Sequence, residues 1–299
     1  MSLPAHEKSP ASSAALAALV AGAVAMGASP ILVRLAEVGP FASAFWRVSL
    51  ALPVLWAWAR LEARGRPKTE SRPVSRAALL AGALFAGDLF FWHLAVTHTT
   101  VANATFFATT APVWVVLAAW LMRSEHVGRR TLGGLGLAVL GGSMLVAESM
   151  EVDPSRISGD IFGLITAIFF GGYFLAVRAA RQEEGPARIT FVASIVTALI
   201  LGAIAFMLEP TFIPASGTGV GALVGLALVS HAAGQGLLAY ALGHLPAVFS
   251  SLVIFLEAIA AAALGVLVLG EMLSTLQIAG GVLILAAVMI ARPSSSAAG

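Results

Sequence analysis

Residues Ala102–Glu125 read ANATFFATTAPVWVVLAAWLMRSE, one long apolar run that opens on small polar residues and stops at a glutamate. Moving 146 positions along the chain reaches Val248–Glu271, VFSSLVIFLEAIAAAALGVLVLGE, again apolar, rich in small residues and ended by a glutamate. Few letters are identical, so the pattern carries the match. At the same offset Gly134 falls on Gly280, and an apolar run follows in each copy. The chain therefore reads as two copies of one helical unit.

Composition places both copies in lipid. Of the 299 residues, 59% are hydrophobic and 11% charged, and the mean hydropathy is +0.93. A water-soluble domain with that much apolar surface aggregates. A net charge of +2, with the basic residues scattered in short loops, argues against a nucleic-acid partner despite a pI near 9.5. The absence of cysteine excludes a disulfide framework and a thiolate metal site. The first dozen residues are polar with a lone Lys8, and the apolar run behind them exceeds a signal peptide's core. That run is read as a retained first span.

A spanning helix needs about 20 mostly apolar residues. Ten segments come close to that length: Ala14–Ala36, Phe41–Ala59, Arg76–Val96, Val101–Met122, Thr131–Ala147, Gly159–Ala180, Ile189–Leu208, Gly219–Leu242, Ala247–Leu269 and Leu276–Ala291. They are too long for barrel strands and lack period-two alternation. Five fall in each half, so the second half enters the membrane from the opposite side and the repeat is inverted. Arg60, Arg64, Arg66, Lys68, Arg72 and Arg76 follow the second segment, with Arg123, Arg129 and Arg130 after the fourth and Arg178, Arg181 and Arg188 after the sixth. The other side carries Arg34 and Arg156 beside Glu148, Glu151, Asp153 and Asp160. Basic loops stay in the cytoplasm, so both termini are expected there. The expected fold is an all-α membrane protein of ten transmembrane helices in two inverted five-helix repeats, 12–148 and 158–292, with no soluble domain. Bundles of inverted repeats are an architecture of secondary transporters.

Ionisable groups deep in such spans are costly, about 2.5–3.5 kcal/mol for an aspartate at a helix centre. Asp88 lies midway along the third span and shares one helix face with Phe85 and Trp92, at spacings of three and four. This face suits a solute cavity or ion coupling; the alternative is a clamp onto a neighbouring helix. Glu257 in the ninth span, and His231 with Gln235 in the eighth, carry the same two readings. Asn103, Phe107, Thr110 and Trp114 form a stripe on the fourth span, either a pocket wall or plain packing, and Tyr173 offers a further wall. Trp46 and Arg47 lie inside the second span, where Arg47 can attract a carboxylate, snorkel to headgroups or pair structurally. Pro30 and Pro112 each remove a helix hydrogen bond and are candidate gating pivots. Glu125 and Glu271 read as capping charges for the helix that follows each. Glycines at close-packing spacing, such as Gly159 with Gly163, serve internal packing or a homodimer seam. No nucleotide loop, zinc motif or nucleophile elbow is present in the sequence. Neither a cofactor, a metal nor an enzymatic activity is expected.

The layout resembles the drug/metabolite transporter superfamily, with halves that look like EamA repeats over nearly the whole chain. Thr110–Glu125, TAPVWVVLAAWLMRSE, resembles the first-repeat signature, and Phe255–Glu271, FLEAIAAAALGVLVLGE, the second. The second is usually written Leu-Glu-Pro with a later Gly-Glu; Leu256 and Glu257 match, while Ala258 replaces the proline. Arg47, in FWRVSLALP, matches an arginine common in the family's second helix. The chain is most similar to YddG-like amino-acid exporters. That resemblance implies efflux of amino acids, aromatic ones included, by alternating access through a cavity lined mainly by helices one, three, four, six, eight and nine. Drugs, nucleotide sugars or a passive channel are the alternatives. It also implies a multi-pass protein of the plasma membrane (the inner membrane of a Gram-negative cell), monomeric or homodimeric.

Overall fold

A computed structural model describes residues 10–64, 73–99, 101–125, 127–147, 154–270 and 272–292, without the side chains of 10–12, 101–103, 154 and 269. Lys8, the middle of the basic linker after Arg64, the residues from Glu148 to Asp153, Glu271 and the tail Ser294–Gly299 lie outside them. Among the described residues the chain is helical and has no strand. The helices are α1 (Ser13–Leu35), α2 (Pro40–Arg64), α3 (Arg76–His98), α4 (Ala104–Met122), α5 (Arg129–Val146), α6 (Ile157–Ala180), α7 (Pro186–Leu208), α8 (Gly217–Leu242), α9 (Ala247–Val268) and α10 (Thr275–Ala291). Eight are long and apolar enough to cross a membrane; α5 and α10 fall short by that measure. Arg129 and Arg130 open α5 and lower its apolarity, and α10 has only 17 residues.

Four of the long helices are broken near their middles. The first turns at Gly27–Ala28 ahead of Pro30, and the fourth at Thr109–Thr110 ahead of Pro112. Both prolines stand in the first turn of the segment that resumes, where a missing N–H is tolerated. The second breaks at Leu50–Ala51 ahead of Pro53, a site at which the sequence reading expected a continuous helix. The ninth breaks at Ile254 with Ala258 in the place of a proline. Side-chain hydroxyls bend the backbone there instead. Ser251 Oγ donates to Val248 O at 2.8 Å, as Thr109 Oγ1 donates to Phe106 O at 2.7 Å in α4. Such back-bonding competes with the helix ladder.

Three of the five equivalent helix pairs of the two halves, α5–α10, α2–α7 and α4–α9, meet antiparallel, while α3 packs on α6 and α1 on α8. Gly134 lies against Ala287 and Ala291, while Gly141 meets Gly280 and Gln277 Nε2 donates to Leu145 O. Residue numbers thus rise along α5 as they fall along α10. Phe41 N donates to Glu209 Oε1 (2.8 Å) at one end of the α2–α7 pair, and Arg188 N donates to Glu62 Oε2 (3.2 Å) at the other. Each of these carboxylates occupies space that a Cβ would need on the partner's N-cap glycine, Gly39 or Gly185. The α4–α9 pair is tied where Glu125 accepts from Ala247 N (2.8 Å) and Val248 N (3.0 Å). Glu125 thus caps a helix of the other half, not the α5 that follows it. The expectation from sequence considered only neighbours along the chain.

Two more carboxylates complete the arrangement. Glu37, after α1, accepts from Ser216 N and Oγ at the start of α8, and Glu184, after α6, accepts from Ser75 N at the start of α3. The described basic residues that follow α2, α4 and α6 lie at the end marked by Glu62, Glu125 and Glu184, called here the basic end. Arg178 lies 3.9 Å from Glu125, and Arg188 Nε 2.8 Å from Glu184.

The α5–α10 seam depends on glycine. A Cβ on Gly280 would come within 2.5 Å of the Gly141 carbonyl oxygen, whereas one on Gly281 meets nothing within 4 Å. Gly280→Val is therefore expected to destabilise the bundle by about 1–3 kcal/mol and Gly281→Val hardly at all. Unfolding midpoints of the two variants in the same detergent would show the contrast, and equal midpoints would remove the seam from the stabilising contacts.

Candidate functional site

A cavity of about 70 Å³ lies between the two ends of the bundle. Its polar wall is built by Ser29 of α1, Arg47 of α2, Asp88 of α3, Gln235 of α8 and Glu257 of α9. Met26, Phe85, Trp92 and Phe170 add apolar lining, and Thr105, Thr109 and Thr166 add hydroxyl-bearing lining. The breaks in α1 and α9 fall at this wall, since Met26, Ser29, Pro30, Ile254 and Glu257 all line it. A π-helical stretch, Leu226–Gln235, delivers Gln235. Such wide turns often occur at functional sites.

Arg47 and Asp88 are buried, Glu257 is half-buried, and all three are unpaired. Arg47 is 6% exposed and Asp88 8%. Among the described residues neither they nor Glu257 make a hydrogen bond or an ion pair with another side chain. Arg47 Nε, Gln235 Oε1 and Ser29 Oγ are buried without a partner, while Gln235 Nε2 donates to Met26 Sδ at 3.1 Å. A clamp between helices satisfies its own polar atoms, whereas this set leaves them free for water or a solute. The volume suffices for a few waters and lies below the roughly 300 Å³ of a small-molecule site. A solute larger than that requires the helices to part.

The structure brings Phe85, Asp88, Trp92, Gln235, Arg47, Glu257 and Pro30 together at this cavity. Other residues singled out from the sequence lie elsewhere. His231 turns to α7, where its Nε2 lies 2.8 Å from Ser194 Oγ, and it stacks on Phe85 at 5.4 Å. Tyr173 packs behind Phe85 with ring centroids 4.9 Å apart. Trp46 donates from Nε1 to Phe212 O at 2.7 Å, in an aromatic cluster at the end opposite the basic one. Phe107 packs on Gly163 and Trp114 on Gly171, so that stripe of α4 faces α6 and not the cavity. Thr110 Oγ1 donates back to Phe107 O, and Pro112 lies one turn beyond the cavity-facing Ala108 and Thr109. The side chain of Asn103 lies outside the described residues.

Some participants were missed. Thr105, Thr109, Thr166 and Phe170 line the cavity. The glycines of α6 held the missing signal: spaced eight apart, Gly163 and Gly171 fix which face of α4 docks, and so which face remains free. His93 was also passed over. Its Nε2 lies 3.3 Å from Ser43 Oγ on α2, a pairing of third and second helices that His231 and Ser194 repeat in the other half.

A helical membrane bundle with unpaired charged groups around an internal cavity is the form of a solute transporter. The chain belongs to the EamA-like transporter family, which it matches over residues 13–147 and 157–292. It is 30% identical over 192 residues to an uncharacterized transporter of Archaeoglobus fulgidus, an alignment spanning 64% of this chain and 67% of that protein. The pseudopaline exporter CntI of Pseudomonas aeruginosa is 29% identical over 187 residues, 62% of this chain and 64% of its own length. One solved crystal structure superposes with a TM-score of 0.81 over 93% of this chain and 97% of that one. At 17% identity it shows a shared fold.

The basic end is closed at the α4–α9 junction by Glu125, with Arg178 Nη1 donating to Leu242 O and Arg181 Nε to Ala239 O beside it. Glu125→Ala strips the acceptor from two helix-start N–H groups, at a cost of about 1–2 kcal/mol, which corresponds to roughly a tenfold shift toward opening. The chain has no native thiol, so Thr109→Cys offers a single reporter. Its labelling by a maleimide applied at the basic end is expected to quicken about tenfold when Glu125→Ala is added. An unchanged rate would show that Glu125 does not hold that end shut.

Proposed function

We propose that this protein is a ten-helix, inverted-repeat carrier that exports amino acids or similar zwitterionic metabolites by alternating access. The observation that supports it most is the set of unpaired charges, Arg47, Asp88 and Glu257, around one cavity. A zwitterion in lipid needs a partner for each of its charges. Arg47 offers a planar donor pair for the carboxylate, and Asp88 or Glu257 an acceptor for the ammonium. Phe85, Trp92 and Phe170 receive the side chain, aromatic ones included once the helices have parted. The antiparallel crossings of α2 with α7, α4 with α9 and α5 with α10 support inversion of the halves. The arginine-rich end is the cytoplasmic one by the positive-inside rule, which puts both termini in the cytoplasm and the protein in the plasma membrane, the inner membrane in a Gram-negative cell.

A carrier accounts for the closed basic end better than an open channel does. A second reading, a larger amino-acid-derived metabolite as cargo, is favoured by the similarity to an exporter of pseudopaline.

The test is counterflow of a labelled amino-acid panel in proteoliposomes of the full chain. Trans-stimulated exchange of at least one amino acid is expected; movement of none would remove the substrate assignment. Asp88→Asn is expected to lower exchange by at least about tenfold, the worth of one charge-assisted contact. The variant should still elute as a monodisperse species. Exchange at the wild-type rate would return Asp88 to a purely structural role.

A further inference from the structure

The cavity holds one guanidinium, that of Arg47, and two carboxylates, those of Asp88 and Glu257. A neutral zwitterion matches only two of these three charges, one carboxylate on Arg47 and one ammonium on an acid. The second acid then stays uncompensated in a buried site, which is costly. Neighbouring polar groups do not balance it. His93 is held by Leu89 O and Ser43, and His231 is held by Ser194.

Other features favour a further cation. Phe85, Trp92 and Phe170 line the same space, and the negative faces of aromatic rings attract cations. Gln235 Oε1 and Ser29 Oγ are buried there and free to accept, and an ammonium brings three donors. An unbranched aminoalkyl chain also demands less widening of a cavity of about 70 Å³ than an aromatic ring does. We propose that the cavity is matched to amphoteric solutes with one surplus positive charge, the class of α-amino acids that carry a second ammonium on a straight side chain. The inference rests on the amino-acid carrier reading above and narrows it.

The test compares lysine with norleucine, which keeps the straight side chain but lacks the terminal ammonium. Counterflow is measured with the full chain in proteoliposomes at equal pH inside and out and with the membrane potential clamped. Lysine is expected to exchange at least about tenfold faster than norleucine, the scale of one charge-assisted contact. Glu257→Gln and Asp88→Asn are each expected to bring that ratio toward one. In detergent, lysine should raise the melting midpoint of the wild-type protein more than norleucine does, and this comparison decides the matter if both variants are inactive. Equal exchange of the two solutes by the wild-type protein would overturn the inference and leave the carrier reading standing. Norleucine exchange accompanied by proton movement into the lumen would overturn it too, by assigning the surplus charge to a proton. Exchange of no amino acid at all would sink the carrier's substrate and this inference together.

Discussion

A helix that begins in or near lipid exposes backbone N–H groups with nothing to bond to, and the structure depends on how those groups find acceptors. In this protein the acceptor is repeatedly a glutamate that ends a helix of the opposite half. Glu209 serves the start of α2, Glu62 that of α7, Glu125 that of α9, Glu37 that of α8 and Glu184 that of α3. Each contact places a negative charge on the positive end of a helix dipole. Each also joins the two copies, because the donor and the acceptor belong to different halves. The two copies are therefore tied at their ends as well as packed along their helices.

These ties differ in what they permit. The α2–α7 pair is fastened at both ends, by Glu209 and by Glu62, and α5 and α10 interlock along glycine. Neither pair can slide without breaking several contacts at once. For α4 and α9 the described tie lies at the basic end, and both helices are broken near the cavity at Thr109–Thr110 and Ile254. A broken helix can swing one segment about the other at the cost of few backbone hydrogen bonds. The α2–α7 and α5–α10 pairs are thus fastened at more points than the α4–α9 pair.

Much of this was legible in the sequence. The 146-residue offset marked α4 and α9 as copies of one unit, and the spacing of Phe85, Asp88 and Trp92 located part of the cavity lining. The partners of the terminal glutamates could not be read, because a cap supplied from another helix leaves no local spacing. Gly39–Pro40 and Gly185–Pro186 are separated by the same 146 residues and stand where two capping carboxylates dock. That repeat was readable in principle, yet its meaning depends on the docked partner. The orientation of α4 was also hidden. Its apolar residues surround the helix, so only the slots at Gly163 and Gly171 select which side packs. The break in α9 escaped for a simpler reason: attention to proline obscures the bending done by serine and threonine.

The ends and the centre are linked by one energetic argument. Three unpaired charges in a lipid-embedded cavity oppose folding, and a bundle held mainly by contacts at its middle would relieve them by collapsing Arg47 onto a carboxylate. The helices that carry these charges are tied at points away from the cavity. Arg47 is carried by α2, which is tied to α7 at both ends, and Asp88 by α3, whose start is capped by Glu184. Glu257 follows the break in α9, and Glu125 fixes the start of that helix. Capping contacts far from the cavity thus hold the helices that carry its charges.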